Sequence, residues 1–197
     1  MVSLPHIDPD SDIIPAIQCG DERAFNELLD RHLKTITGLA AHMLGDPVAA
    51  EDAAQTTFLR TWQMMPSWQP GQPKLITWMR RVTTNLCLDA LKKKKPVFMD
   101  RLPEQIDEQK SPEEAALQSG RKAMMQHALA ALPDRQRLAL TLSYYQNLSQ
   151  IEGASVMNIS VQAYESLLGR ARKALKAVIS SSPGFAPNLN KRMKADK

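Results

Sequence analysis

LSQIEGASVMNISVQAYESLLGRARKAL, residues 148–175, carries two helix-start signals eleven residues apart. Ser149 and Glu152 have the S-x-x-E spacing of a capping box, in which the serine hydroxyl takes a first-turn N–H and the glutamate reaches back to the serine N–H. Met157, Asn158 and Ile159 supply a short turn with an apolar residue in it. Ser160 then caps a second helix to about Ser180, with Val161, Tyr164, Leu168, Ala171 and Leu175 recurring on one face. Two capped helices, a tight turn and basic residues along the outer side of the second helix match a helix-turn-helix, which lays its second helix in the DNA major groove. Ser160, Gln162, Glu165 and Ser166, near the start of that helix, are the candidates for base edges. Arg170, Arg172, Lys173 and Lys176 are the candidates for phosphates. An ordinary helical hairpin with solvated lysines would need neither the paired caps nor the turn.

Upstream the pattern is helical throughout. Gly20 and Asp21 give a stop and restart, after which Phe25, Leu28, Leu29, Leu33, Ile36, Ala40 and Met43 recur at three- and four-residue spacing. Gly45 ends this helix, Asp46 caps the next and Pro47 occupies its first position, where a missing N–H costs nothing. That helix runs to about Met65, and PSWQPGQP, 66–73, is a loop too rich in proline to remain helical. A fourth helix starts at Leu75, with Ile76, Met79, Val82, Leu86 and Ala90 on one face and Arg81, Thr84, Asn85 and Lys92 on another. Pro96 stops it. After a stretch without an apolar stripe, Met124, Ala128 and Leu132 form a short helix closed by Pro133, and Leu138, Leu142 and Tyr145 form another. The expectation is an all-α protein of two small helical domains, 12–96 and 119–180, joined by a flexible acidic linker over 97–118 and followed by a basic tail, 181–197.

Charge sharpens this division. The net +4 of the 197 residues conceals an acidic stretch, 96–118, with six acidic and two basic groups, followed by 119–182 with eight basic and three acidic groups. Opposite signs on different parts of one chain point to partners of opposite charge. The run Lys92–Lys95 reads either as a solvated helix end, favoured at the negative pole of the helix dipole, or as part of a DNA-facing patch. Cys19 and Cys87 are far apart and belong to no C-x-x-C pair, so neither a disulfide framework nor a zinc site is indicated. The four histidines lack ligand spacing, and there is no glycine-rich phosphate loop or nucleophile elbow. The expectation is a cytoplasmic protein without a membrane span, a metal, a cofactor or catalytic activity.

The runs DAAQTTFLRTW, 52–62, and ITWMRRVTTNLCLDALKKKK, 76–95, followed by residues 148–175, resemble the second and fourth conserved regions of bacterial sigma factors of the extracytoplasmic-function group in the sigma-70 family. The resemblance spans roughly 12–96 and 119–180. It implies a specificity subunit whose partners are core RNA polymerase, promoter DNA and an anti-sigma factor. Asp52 and Gln55, one turn apart, match the family's polymerase-binding motif, while Phe58 and Trp62 read as packing residues. Arg81, Thr84, Asn85, Lys92 and Lys93 fall on the helix that faces the minus-ten element. Asn85 is the candidate to hold an extruded base, because an amide offers both a donor and an acceptor to a Watson–Crick edge. Residues 160–173 would read the minus-thirty-five element. Lys74 and Leu75 depart from the small and aromatic residues common there, and neither Glu165 nor Leu167 is the basic residue many members carry. The rival reading is a stand-alone helix-turn-helix regulator whose first domain is a sensor or dimerisation module.

Overall fold

The protein, seen in a computed structural model, is described over residues 8–69, 73–93 and 124–181, and every regular element among them is helical. The first unit holds α1 (Ile14–Gln18), α2 (Glu22–Leu44), α3 (Pro47–Met64) and α4 (Leu75–Lys93); the second holds α5 (124–130), α6 (Asp134–Leu140), α7 (Gln150–Met157) and α8 (Val161–Ser181). The expected linker, the Pro96 stop and the tail beyond Ser181 lie outside the described residues.

Local chemistry sets the boundaries. The Asp21 carboxylate accepts from the N–H groups of Arg23 and Ala24 at 2.8 and 3.3 Å, and α2 ends at Gly45 with φ of 66°. A left-handed residue here lets the chain reverse without a Cβ clash. Asp46 accepts from Ala49 N at 3.2 Å and Pro47 opens α3. The stretch from Pro66 differs from expectation, because a tight 3-10 turn, Met65–Ser67, extends α3 and delivers Trp68 into the core. α1 is also additional. Five residues are too few to show a period, yet Ile13 and Ile17 are buried.

α2, α3 and α4 pack against one another around Leu28, Ile36, Phe58, Leu75 and Met79. Between α3 and α4 the hydroxyls of Thr57 and Thr83 meet at 3.0 Å, and each also reaches the carbonyl four residues back, so these buried polar groups are satisfied. Leu33, on the expected apolar stripe of α2, is instead 49% exposed. The segment preceding α1 ties the unit together. Asp8 accepts from Leu75 N at 2.6 Å, capping α4, and the buried Asp10 carboxylate lies 2.8 Å from His32 Nε2 and 3.4 Å from Arg31 Nη1.

In the second unit α6 and α7 both pack on α8. α6 runs directly into a wider π-type turn, Thr141–Tyr145, before the chain reverses toward α7. Leu129, Leu138, Leu142, Tyr164, Leu168 and Ala171 fill the centre. This core continues into Leu39, Ala40, Met43 and Leu44 of α2, and into Ala50, Ala53 and Cys87 of the first unit. The apolar end of α2 finds its cover in the second unit, which periodicity alone does not assign.

Candidate nucleic-acid interfaces

The helix-turn-helix begins with the expected capping box. Ser149 Oγ accepts from Glu152 N at 3.3 Å, while Glu152 Oε2 accepts from Ser149 N at 3.0 Å. The Ser149 hydrogen bonds hold the Glu152 carboxyl below its ordinary range. α7 closes at Asn158 in the left-handed region, φ 52°, a conformation asparagine tolerates better than most residues. Ser160 Oγ then accepts from Ala163 N at 3.2 Å. Tyr164 fixes the crossing of the two helices. Its ring lies so close to Gly153 that a Cβ there would sit 2.4 Å from Cζ, and its hydroxyl donates to Ala139 O at 3.0 Å. Burial pushes the Tyr164 phenol up to about 12, against the pull of Arg172, so it remains a donor across the ordinary pH range.

This mounting leaves one long side of α8 in solvent. Gln162, Glu165, Ser166, Gly169, Arg170, Lys173 and Lys176 are all exposed, as is the cap residue Ser160. Arg172 lies off this strip, half-buried, with its guanidinium 5.5 Å from the centroid of the Tyr144 ring. Leu167 is buried. A helix advances about 100° per residue, which turns position 167 well away from Gln162. A basic residue at 167 in this fold would bury its charge, so the leucine is what the packing requires.

The polar face of α4 is different. Asn85, Lys92 and Lys93 are exposed, with Lys92 Nζ 3.1 Å from Asp89 Oδ1 in a solvent-screened pair. Thr84, expected on that face, is only 3% exposed, and its hydroxyl has no hydrogen-bond partner among the described residues. Arg81 is half-buried and engaged: Nε donates to Ser155 O at 2.7 Å and Nη2 to Ser155 Oγ at 3.1 Å. Beyond Arg81 the two units separate around a cleft of about 500 Å³. Thr84, Asn85, Leu88 and Lys92 line it on one side and Arg135, Met157 and Asn158 on the other.

α3 presents a third surface. Asp52 and Gln55 are exposed on one strip together with Glu51, Val48 and Leu59, the last two 69% and 56% exposed. Apolar side chains beside acidic ones suit a protein partner better than a nucleic acid. Phe58 is buried beneath this strip, and Trp62 packs edge-on against Phe25 with ring centroids 4.9 Å apart. Trp78 packs against Trp68 at 6.5 Å.

Sequence reasoning missed the residues that join the units. Arg137 is 8% exposed and donates to three carbonyls: Met43 O at 2.7 Å, Leu129 O at 3.0 Å and Ala130 O at 2.8 Å. Burial lowers its pKa, with Asp134 acting in the opposite direction. The available signal was an arginine directly before the apolar run Leu138–Leu140 of α6. Gln146 Nε2 donates to Thr35 O at 3.1 Å while its Oε1 accepts from Arg80 Nε at 3.2 Å.

Among the described residues no helix is long and apolar enough to cross a membrane, and no group of His, Cys, Asp and Glu is arranged to hold a metal ion. The family model of Sigma-70 region 2 matches residues 28–97, and that of Sigma-70, region 4 matches residues 122–175. The ECF RNA polymerase sigma factor SigW of Bacillus subtilis is 30% identical over 174 residues, 83% of this chain and 92% of the relative. The ECF RNA polymerase sigma factor SigE of Mycolicibacterium smegmatis is 32% identical over 164 residues, 80% of this chain and 63% of the relative. The solved structure of CnrH in complex with the cytosolic domain of CnrY is similar with a TM-score of 0.68 at 25% identity, covering 88% of this chain and 98% of that one.

Proposed function

Because the chain belongs to the extracytoplasmic-function group of the sigma-70 family, we propose that it is the promoter-specificity subunit of an RNA polymerase, docking on core enzyme through α3 and reading DNA with α4 and α8. The observation that carries this reading is the pairing, in one chain, of a polar α4 face with a mounted, basic α8 strip. A sensor or dimerisation module in the first unit would not account for the sigma region matched at 28–97.

Each surface has a distinct task. The acidic strip of α3, with Asp52 and Gln55, suits a basic coiled coil on core polymerase, where complementary charge fixes register and speeds encounter. α4 takes the minus-ten element: Arg81 and Lys92 meet phosphates, and the exposed Asn85 amide receives an unstacked base. On α8, Gln162, Glu165 and Ser166 face base edges of the minus-thirty-five element, with Arg170 and Lys173 on the backbone. Glu165 suits the amino group of a cytosine. The acids of 97–118 give the connecting chain a nucleic-acid-like charge suited to a basic polymerase channel. An anti-sigma protein is the third partner, and the work is done in the cytoplasm, where core polymerase and DNA are.

Run-off transcription on genomic fragments with core enzyme tests this. Discrete transcripts should appear only when the chain is added, and the double variant Asp52→Ala, Gln55→Ala should need more protein for the same yield at unchanged helicity. Absence of any chain-dependent transcript would refute the reading.

A further inference from the structure

We propose that Gly169 sets how deeply α8 seats in the major groove: the missing side chain lets base-pair edges reach the helix main chain, and that close approach is part of how the minus-thirty-five element is recognised. This rests on the reading of α8 as the minus-thirty-five surface. The first observation is that the fold gives no reason for a glycine there. Gly20 and Gly45 have φ of 83° and 66°, and a Cβ on Gly153 would strike the Tyr164 ring. Gly169 has neither constraint. Its φ lies outside the left-handed region, and a Cβ placed on it meets nothing within 4 Å outside its own stretch of helix backbone. In a helix interior glycine is less favourable than any residue but proline, so alanine would serve the free chain better at this position of α8.

The second observation is where this glycine stands. At about 100° per residue, positions 162, 166, 169 and 173 fall within about 60° of one another. Gly169 therefore lies near the midline of the exposed side, with Gln162 and Ser166 before it and Lys173 after it, all four exposed. It marks the point on the strip where residues assigned to base edges give way to those assigned to phosphates. A helix with its side chains is about as wide as the major groove, ~10–12 Å against ~12 Å, so one absent side chain on the midline changes how far the backbone can enter. With Gly169 against the groove floor, the short Ser166 hydroxyl comes within reach of a base edge, a contact that a bulkier neighbour would hold off. Gly38 is another glycine whose Cβ would meet nothing, but it is half-buried on α2 and belongs to none of the three surfaces.

The test compares Gly169→Ala with Gly38→Ala in the full-length chain, by thermal melting and by fluorescence anisotropy with two duplexes. One duplex carries the minus-thirty-five element of a promoter the chain transcribes, and the other is its scrambled counterpart. Both variants should melt about 2–4 °C above the parent, since each replaces a helix-interior glycine without striking a neighbour. Gly169→Ala should bind the promoter duplex about tenfold more weakly and the scrambled duplex equally, because nonspecific affinity comes from the phosphates. Gly38→Ala should bind both as the parent does. A more stable protein that binds its DNA less well separates this role from a structural one, in which stability and affinity fall together. Promoter affinity of Gly169→Ala equal to or above the parent's overturns the proposal, as does a lower melting temperature, which would mean that the fold itself requires the glycine. The parent's own preference separates this from failure of the functional reading. A parent that prefers the promoter duplex, with Gly169→Ala binding it unchanged, refutes the role of Gly169 alone, whereas a parent that binds both duplexes equally refutes both.

Discussion

α4 and α8 carry similar chemistry, a helix with amides and basic residues along one side, yet the fold treats them in opposite ways. α8 is mounted by its buried face on α6 and α7 and turns Gln162, Arg170 and Lys173 to solvent. α4 has its Arg81 drawn onto Ser155 and its Thr84 buried. The difference teaches that a polar face on a helix is not yet a binding surface. What packs on it decides whether its donors are available, and here the same second unit that displays the α8 face engages the other at Arg81 and leaves Asn85, Lys92 and Lys93 exposed.

The largest expected effect strikes a contact between the two helical units, Arg137 with the carbonyls of Met43, Leu129 and Ala130. Arg137→Leu leaves three carbonyls without their donor, and stability to urea should fall by about 3 kcal/mol, in the range for breaking a buried charged interaction. A loss below about 1 kcal/mol would mean water replaces the guanidinium freely at the three carbonyls. Next comes the mounting of the exposed face. Gly153→Ala drives a methyl into the Tyr164 ring, which is held in place by its bond to Ala139 O. Overpacking of this kind should cost about 2 kcal/mol and weaken minus-thirty-five duplex binding, measured by thermal melting and fluorescence anisotropy.

Within the α8 strip, Lys173→Ala and Arg170→Ala should each reduce the slope of log affinity against log salt by about one unit. Arg172→Ala should reduce it less, since that guanidinium stands over Tyr144. Equal slopes for all three would place Arg172 on the DNA side. The smallest effect lies far from both faces. The hydrogen bond from Arg31 holds the Asp12 carboxyl down at about 2, against an ordinary value of 3.8. A depressed carboxylate contributes stability that is present above the ordinary value and lost as pH falls through about 2. Asp12→Asn should therefore be slightly less stable than the parent at neutral pH and equal to it at the acid limit, with urea titrations at several pH values as the check.

Much of this was legible because its causes are local. The Ser149–Glu152 box, the Asn158 turn, the Ser160 cap and the Gly45–Asp46–Pro47 junction each need only neighbouring residues, and each lies where the spacing put it. What sequence could not supply came from partners distant in the chain. Asp8 caps a helix 67 residues away, and Arg137 finds a carbonyl 94 residues away. Thr84 read as polar and outward because a helical wheel knows the face of a residue but not its cover. Leu167 read as a departure from a basic position until Gln162 and Tyr164 fixed the rotation of α8.

Permanganate footprinting of a promoter bound by core enzyme and the full-length chain tests the division of labour between α4 and α8 most directly. With Asn85→Ala, thymines of the minus-ten region should become reactive more slowly and less completely than with the parent, while protection of the minus-thirty-five element stays the same. Strand opening as fast and as complete as with the parent would contradict the assignment of α4 as the surface that holds the melted strand.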